Sequence, residues 1–218
     1  MRFLDSLFGK RQSAFNSKDY WQARYAEGGT SGAGSYGRLA DYKAKIVNGI
    51  VKDRAVSTVI EFGSGDGNQA SLLDIDTYIG IDISDSVVAS CRARFVQRPK
   101  WRFLTDAEFD LRPIQAELTL SQDVIYHLVE DQVFESYMHN LIRATSRYML
   151  IFSSDHDAVT KAPHVRHRAY SEWIGANAPE FVCLEAFSHP FPMQQGSNAK
   201  ETSFAHFKLF EKPAGTGK

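Results

Sequence analysis

Residues 57–67 read Ser-Thr-Val-Ile-Glu-Phe-Gly-Ser-Gly-Asp-Gly, and the organisation of the chain can be worked outward from them. Val59, Ile60 and Phe62 form a short β-branched and aromatic run around one acid, Glu61. Glycine then recurs at alternate positions, Gly63, Gly65 and Gly67. The pattern predicts a strand, a tight glycine turn and a brief helix over Asn68–Leu73. Glycine enters the left-handed backbone region without a Cβ penalty and lets a ligand approach the main chain. In open parallel sheets the turn that follows a strand is where nucleotide-like ligands bind.

The second half of the signal is Tyr78–Asp82, YIGID, another β-type run that ends in an acid. Asp82 follows Gly63 by nineteen residues, near the ~20 at which a carboxylate on the next strand tip accepts the hydroxyls of an adenosine ribose. The turn is G-x-G-x-G, whereas the dinucleotide fingerprint is G-x-G-x-x-G with room for a pyrophosphate. With an acid ahead of it, this motif resembles that of the class I S-adenosylmethionine-dependent methyltransferases. The resemblance runs from Tyr20 to Lys212. It implies a Rossmann-like α/β fold: a doubly wound, mostly parallel seven-stranded sheet that ends in an antiparallel hairpin, with helices on both faces. It also implies an enzyme with S-adenosylmethionine as cofactor and S-adenosylhomocysteine as product. The cofactor contacts it suggests are Glu61, Gly63, Gly65, Gly67, Asp82, Ile83, Asp106 and Gln122. A glycine turn that binds nothing is the alternative.

Composition bounds the rest. A chain of 218 residues with 43% hydrophobic and 12% aromatic content fills one generous domain. A net charge of −1 gives no global basic field, which argues against nucleic acid and for a small-molecule substrate. Cys91 and Cys183 lie in apolar-periodic stretches without metal-ligand spacing, so both are expected as buried thiols. The opening residues contain no continuous apolar core of a signal peptide, and no stretch approaches the ~18 apolar residues of a membrane span. A cytoplasmic protein with no membrane association is the expectation. Residues 1–16 read as a flexible leader, 17–212 as the single domain and 213–218 as a flexible tail. Within the domain, 17–53 supplies N-terminal helices and a glycine-rich cover.

Along the chain, SKDYWQARYA (17–26) places Tyr20, Trp21 and Arg24 within one helical turn. The segment GGTSGAGSYG (28–37) has five glycines and reads as a mobile loop. In the resembling family a leading aromatic and arginine helix and the loop after it cover the cofactor, which adds Trp21, Arg24 and Tyr36 to the expected contacts; a plain linker is the alternative. Leu39, Tyr42, Ile46, Val47 and Ile50 keep helical spacing. Ser84 and Asp85 are N-cap candidates for a helix that Pro99 terminates. Trp101–Leu104 is the third strand. Asp106 after it is either an adenine-amino acceptor, as the resemblance implies, or an ordinary capping residue.

The fourth strand, Ala116–Ser121, leads into SQDVIYHLVED, where the chemistry is expected because ligands sit beyond the carboxyl ends of the strands. If 123–127 is helical, Asp123 and His127 share a face at i and i+4, and the carboxylate orients the imidazole as a general base. A buried histidine bonded to backbone is the alternative. Asp123 is the second candidate base, and His156, at the tip of the fifth strand (148–153), is the runner-up. The resembling family often carries Glu where this chain has Tyr126, so chemistry that rests on that acid does not transfer. The polar run 153–170 is expected to face the substrate through His164, Arg166 and His167, beside Tyr126, with Lys161 and Arg168 adding positive charge suited to a phosphate, carboxylate or hydroxyl-rich group. No metal site is expected, because the histidine spacing suits none. Phe181–Phe187 and Phe204–Phe210, with no helix between them, predict an antiparallel pair. The function these features favour is O-methylation of a hydroxyl or carboxyl on a small acceptor such as a saccharide or another polar metabolite. A nicotinamide-dependent oxidoreductase or epimerase and a non-catalytic adenosine-binding module are the alternatives.

Overall fold

The computed structural model describes residues 15–198 and 200–213, so the expected leader lies outside it except for Phe15 and Asn16, and the tail except for Pro213. Five strands, β1 (Thr58–Phe62), β2 (Thr77–Asp82), β3 (Trp101–Thr105), β4 (Ala116–Gln122) and β5 (Thr145–Ser153), pair in parallel. A two-stranded ribbon, β6 (Ala158–Val159) and β7 (Arg166–His167), follows. The last strands, β8 (Val182–Phe187) and β9 (His206–Glu211), pair antiparallel with each other, and β9 runs antiparallel to β5. The main sheet has the order β3-β2-β1-β4-β5-β9-β8. Chain direction across the sheet reverses between β1 and β4, which opens a crevice beyond their carboxyl ends.

Helices α2 (Gly37–Asp53) and α3 (Asp85–Arg94) bury Val47, Val88 and Cys91 against one face of the sheet. Helices α4 (Asp106–Leu111), α5 (Asp131–Ala144) and α6 (Tyr170–Asn177) bury Phe109, Met138 and Ile174 against the other. The remaining helix, α1 (Ser17–Ala26), buries only Ser17 and so lacks a core-facing stripe. It lies over the crevice, tied at one end by Ser17 to Glu130 and along its length by Gln22 Nε2, which donates to the Ile83 carbonyl at 3.2 Å.

Two local expectations fail and a third holds in position only. No helix follows the glycine turn; a single 3-10 turn, Ala70–Leu72, stands in its place. Gly63, Gly65 and Gly67 all take positive φ, so the main chain cannot enter a right-handed helix until too few residues remain before β2. Ser84 occupies the N-cap of α3, but its hydroxyl bonds to Ser86 rather than capping. Cys91 is buried as expected, whereas Cys183 is exposed, because β8 is the sheet edge and its side chains stand largely in solvent. No helix of the described residues is long and apolar enough to cross a membrane.

Candidate active site

The crevice holds a cavity of about 390 Å³. Eight of the residues expected from sequence line it: Trp21, Gly63, Asp82, Ile83, Asp106, Gln122, Asp123 and His127. Each comes from a strand tip, the segment just beyond one, or α1.

At one end, Gly63 turns at φ 76°, and a Cβ there would collide with Val124. The missing side chain makes room for Val124, and the Gly63 main chain lines the cavity beside it. Asp82 is 6% exposed; its oxygens accept the amide N–H of Gly65 at 2.9 Å and of Ser84 at 3.0 Å. A carboxylate has about four lone-pair positions, so two remain for a ligand. Burial raises its pKa to about 6 against the lowering effect of those amides. Gln122 donates Nε2 to Glu61 at 2.7 Å, while its buried Oε1 has no partner. Glu61 is consumed internally: it also accepts the Tyr78 hydroxyl, and burial pushes its carboxyl up. Glu61, Gly65 and Gly67 lie behind the lining and shape it.

The glycine-rich segment is folded onto the turn. Ser31 and Asp66 exchange two bonds of 2.8 Å, the Tyr36 hydroxyl donates to Asp66 at 2.8 Å, and Asn68 Nδ2 donates to the Ser35 carbonyl at 2.7 Å. Burial alone would raise the Asp66 pKa, but the Ser31 and Asn68 amides and the Tyr36 hydroxyl bring it below the usual range. Tyr36 and Arg24 thus hold the cover rather than line the cavity. Arg24 donates to the Thr30 carbonyl at 2.7 Å and sits 5.6 Å from the Trp21 ring centre.

At the other end, Asp123 is not helical. It takes φ 59°, and only Ile125–His127 form a 3-10 turn, so Asp123 and His127 share no helical face. The expected pairing is replaced by two separate arrangements. Asp123 bonds to Lys43 Nζ at 2.6 Å and to the Tyr126 hydroxyl at 2.7 Å. Lys43 is 1% exposed on α2, and the Asp123 carboxylate, with the Phe152 ring 5.5 Å from Nζ, offsets its desolvation. His127 Nδ1 meets the His164 carbonyl at 2.8 Å. A carbonyl only accepts, so Nδ1 carries the proton and Nε2 keeps its lone pair. Burial lowers the His127 pKa to about 4. The ring is enclosed by Trp21 at 4.9 Å, Tyr126 at 4.5 Å and His164 at 5.6 Å between centroids.

The other expected substrate residues stand off the cavity. Tyr126 and His164 form a layer behind His127. His156 is exposed and stacks on His167 at 4.6 Å, and His167 bonds through Nδ1 to Ser154 at 2.6 Å. Arg166 and Arg168 both bind Asp131, and Arg168 also donates to the carbonyls of Leu128 and Val129. That fixes the loop to α5 and leaves only Lys161 of the expected cations exposed. Among the described residues no group of three His, Cys, Asp or Glu is placed to hold a metal.

Sequence reading missed Lys43, although it lies four residues from both Leu39 and Val47 on the buried stripe of α2. It also missed Lys18, Tyr25 and Ser31 of the cover and the polar face of α5, Gln132, Ser136 and Asn140, all of which line the cavity. Asp106 follows the true N-cap of α4, Thr105, whose capping box with Glu108 leaves Asp106 facing the cavity and Lys18 at 3.7 Å.

No protein-family model matches the chain, and no curated protein matches it in sequence. Solved structures do match. The N-methyltransferase NodS from Bradyrhizobium japonicum WM9, in complex with S-adenosyl-L-homocysteine, has a TM-score of 0.69 at 16% identity over 92% of this chain and 100% of its own. Magnesium protoporphyrin IX methyltransferase (ChlM) from Synechocystis PCC 6803, with bound SAM, gives 0.63 at 12% identity over 92% and 99%. The methyltransferase domain of bacterial CtHen1-C gives 0.60 at 17% over 79% and 97%. The chain has the fold of the class I S-adenosylmethionine-dependent methyltransferases.

Proposed function

We propose that this protein is an S-adenosylmethionine-dependent methyltransferase that acts on a small polar acceptor, with a hydroxyl or carboxyl oxygen as the methylated atom. The observation that carries the reading is the cavity at the switch point, where Gly63, buried Asp82 and the unpartnered Gln122 Oε1 stand at one end and a neutral His127 at the other. These groups fit the cofactor. Asp82 has free lone pairs for two ribose hydroxyls, Gly63 presents main chain at the wall, Gln122 Oε1 is an acceptor for an ammonium, and Asp106 is an acceptor beside the base.

When bound, S-adenosylmethionine supplies a methyl group already activated by its sulfonium. The protein's share is positioning, exclusion of water and handling of a proton. Trp21 and Tyr25 on α1, with Ser31 of the cover, close the cavity from above. His127 Nε2 is unprotonated at neutral pH and accepts the proton of a hydroxyl acceptor; a carboxylate acceptor needs no base. Asp123, held by Lys43 and Tyr126, keeps lone pairs for a second polar group of the acceptor.

Titration calorimetry with S-adenosylhomocysteine and with NAD, followed by a mass-spectrometric screen for a gain of one methyl group, tests the reading. Binding of the first ligand without the second supports it over an oxidoreductase. Binding without any methylated product leaves an adenosine-binding module instead.

A further inference from the structure

Helix α5 presents two faces. Phe134, Met138 and Leu141 enter the core, whereas Gln132, Val133, Ser136, Tyr137 and Asn140 line the cavity. At 1.5 Å per residue, the stretch from Gln132 to Asn140 carries the cavity about 12 Å along the helix. Phe109 and Asp110 of α4 form the opposing wall. The space is thus a groove between α4 and α5 that continues the cavity past Asp106. Its accessible apolar lining is Val133 and the half-buried Tyr137, whose ring packs edge to face on the buried Phe62 at 5.8 Å, as Phe62 does on the buried Phe109 at 5.2 Å. Its outer end is spanned by exposed polar contacts alone, Asp110 to Asn140 at 3.3 Å and to Arg143 at 3.2 Å. Contacts of this kind are weak and easily displaced.

The direction of an adenosine ligand follows from the two ends of the cavity, given the methyltransferase reading on which this step rests. With the ribose at Asp82 and the 5′ arm over Gly63 and Gln122, the base lies on the side of Asp106 and Phe109. The purine edge farthest from the sugar, which carries the 6-amino group, then faces the groove. We propose that the α4–α5 groove is a second compartment of the site, one that takes an apolar planar substituent carried on the 6-amino edge of an adenosine ligand. A flat ring suits the narrow space beside Val133 and the half-buried Tyr137 ring, which the buried Phe62 and Phe109 hold in place from behind. The rim of exposed Gln132 and Ser136 and half-buried Asn140 leaves the far end of such a substituent in water.

The test is calorimetry with S-adenosylhomocysteine and its N6-benzyl derivative on the wild-type protein and on Ser136→Trp, which fills the groove from an exposed helix position. The expected result is wild-type affinities within about tenfold of each other, and a loss of about 30-fold or more for the benzyl derivative alone in the variant. Asn140→Trp, read the same way, serves if melting shows Ser136→Trp unfolded. A wild-type protein that binds S-adenosylhomocysteine but rejects the benzyl derivative overturns the proposal. So does a filled groove that weakens both ligands equally or neither. If the wild type binds no S-adenosylhomocysteine, the methyltransferase reading falls first and the compartment with it.

Discussion

The two ends of the cavity are built in opposite ways. The Gly63–Asp82 end is made by one β-turn-β unit: the strand, the glycines and the acid are close in sequence, and backbone amides of Gly65 and Ser84 hold the carboxylate. The Asp123–His127 end is assembled from afar. Lys43 reaches Asp123 across eighty residues, and His127 is held by the His164 carbonyl thirty-seven residues away. The first end needs little besides local backbone geometry. The second exists only when α2, β4 and the 153–170 loop have docked, so its residues should be more sensitive to mutation and more separable from cofactor binding.

The sharpest way to break that contrast is His127→Asn. As the base, its loss should lower kcat by about 10²–10⁴-fold with cofactor affinity and Tm nearly unchanged. Steady-state kinetics beside calorimetry with S-adenosylhomocysteine checks this, and a destabilised variant with full kcat would turn the residue into a packing element. The pH dependence of folding gives a second reading of the same residue. Its folded pKa of about 4 lies below the ordinary 6.5, so between those values the unfolded chain binds more protons. His127 therefore contributes stability that is complete above pH 6.5 and lost as pH falls toward 4. Urea midpoints of His127→Asn should fall less steeply over that window than those of the wild type.

Next in size is Lys43→Met, which leaves the Asp123 charge without its partner and should cost about 3–5 kcal/mol of stability. Adding Asp123→Leu should restore much of the loss, since a buried pair replaced by apolar side chains is often close to neutral. Failure of the second change to rescue the Tm would show that α2 depends on Lys43 for more than pairing.

At the other end, Asp82→Ala should weaken S-adenosylhomocysteine binding by about 1.5–3 kcal/mol through the loss of charge-assisted hydroxyl contacts. The raised pKa of about 6 adds a sign: affinity should decline as pH drops below 6 and the carboxylate takes up a proton. Titrations at pH 5 and 7.5 on wild type and variant check both, and a variant with the same pH profile as the wild type would assign the effect elsewhere.

The smallest effect concerns the cover. Asp66→Asn should remove the acceptor shared by Ser31, Tyr36 and Asn68 at a cost of about 1–3 kcal/mol or less, felt as faster protease cleavage within 28–37 rather than as global unfolding. S-adenosylhomocysteine should slow that cleavage. Equal cleavage with and without ligand would make the segment a linker.

How much of the site was legible in the sequence follows the same division. The glycine turn and Asp82 are readable because backbone conformation and strand spacing are local properties. The Asp123–His127 pairing is not legible in the sequence because Asp123 adopts a left-handed conformation and only Ile125–His127 form a 3-10 turn. The fate of the cationic loop is not legible because sequence does not say that Arg166 and Arg168 are spent on Asp131. Lys43 was the one distant partner with a local sign, a charge on an apolar helical stripe.

By itself the sequence determined the alternation of strands and helices, the helixless final pair and hence the antiparallel hairpin, and the strand-glycine-acid unit that marks one end of the cavity. Hydrophobic periodicity and glycine spacing act within a few residues, so no fold is needed to read them. Only the tertiary structure decided that the glycine-rich segment is latched by Asp66, that Asp123 belongs to Lys43 and Tyr126, and that Arg166 and Arg168 are spent on Asp131. Each of these depends on which charged or polar group lies nearest in space, and the energy that selects among such partners is set by burial, which arises only when distant elements pack together.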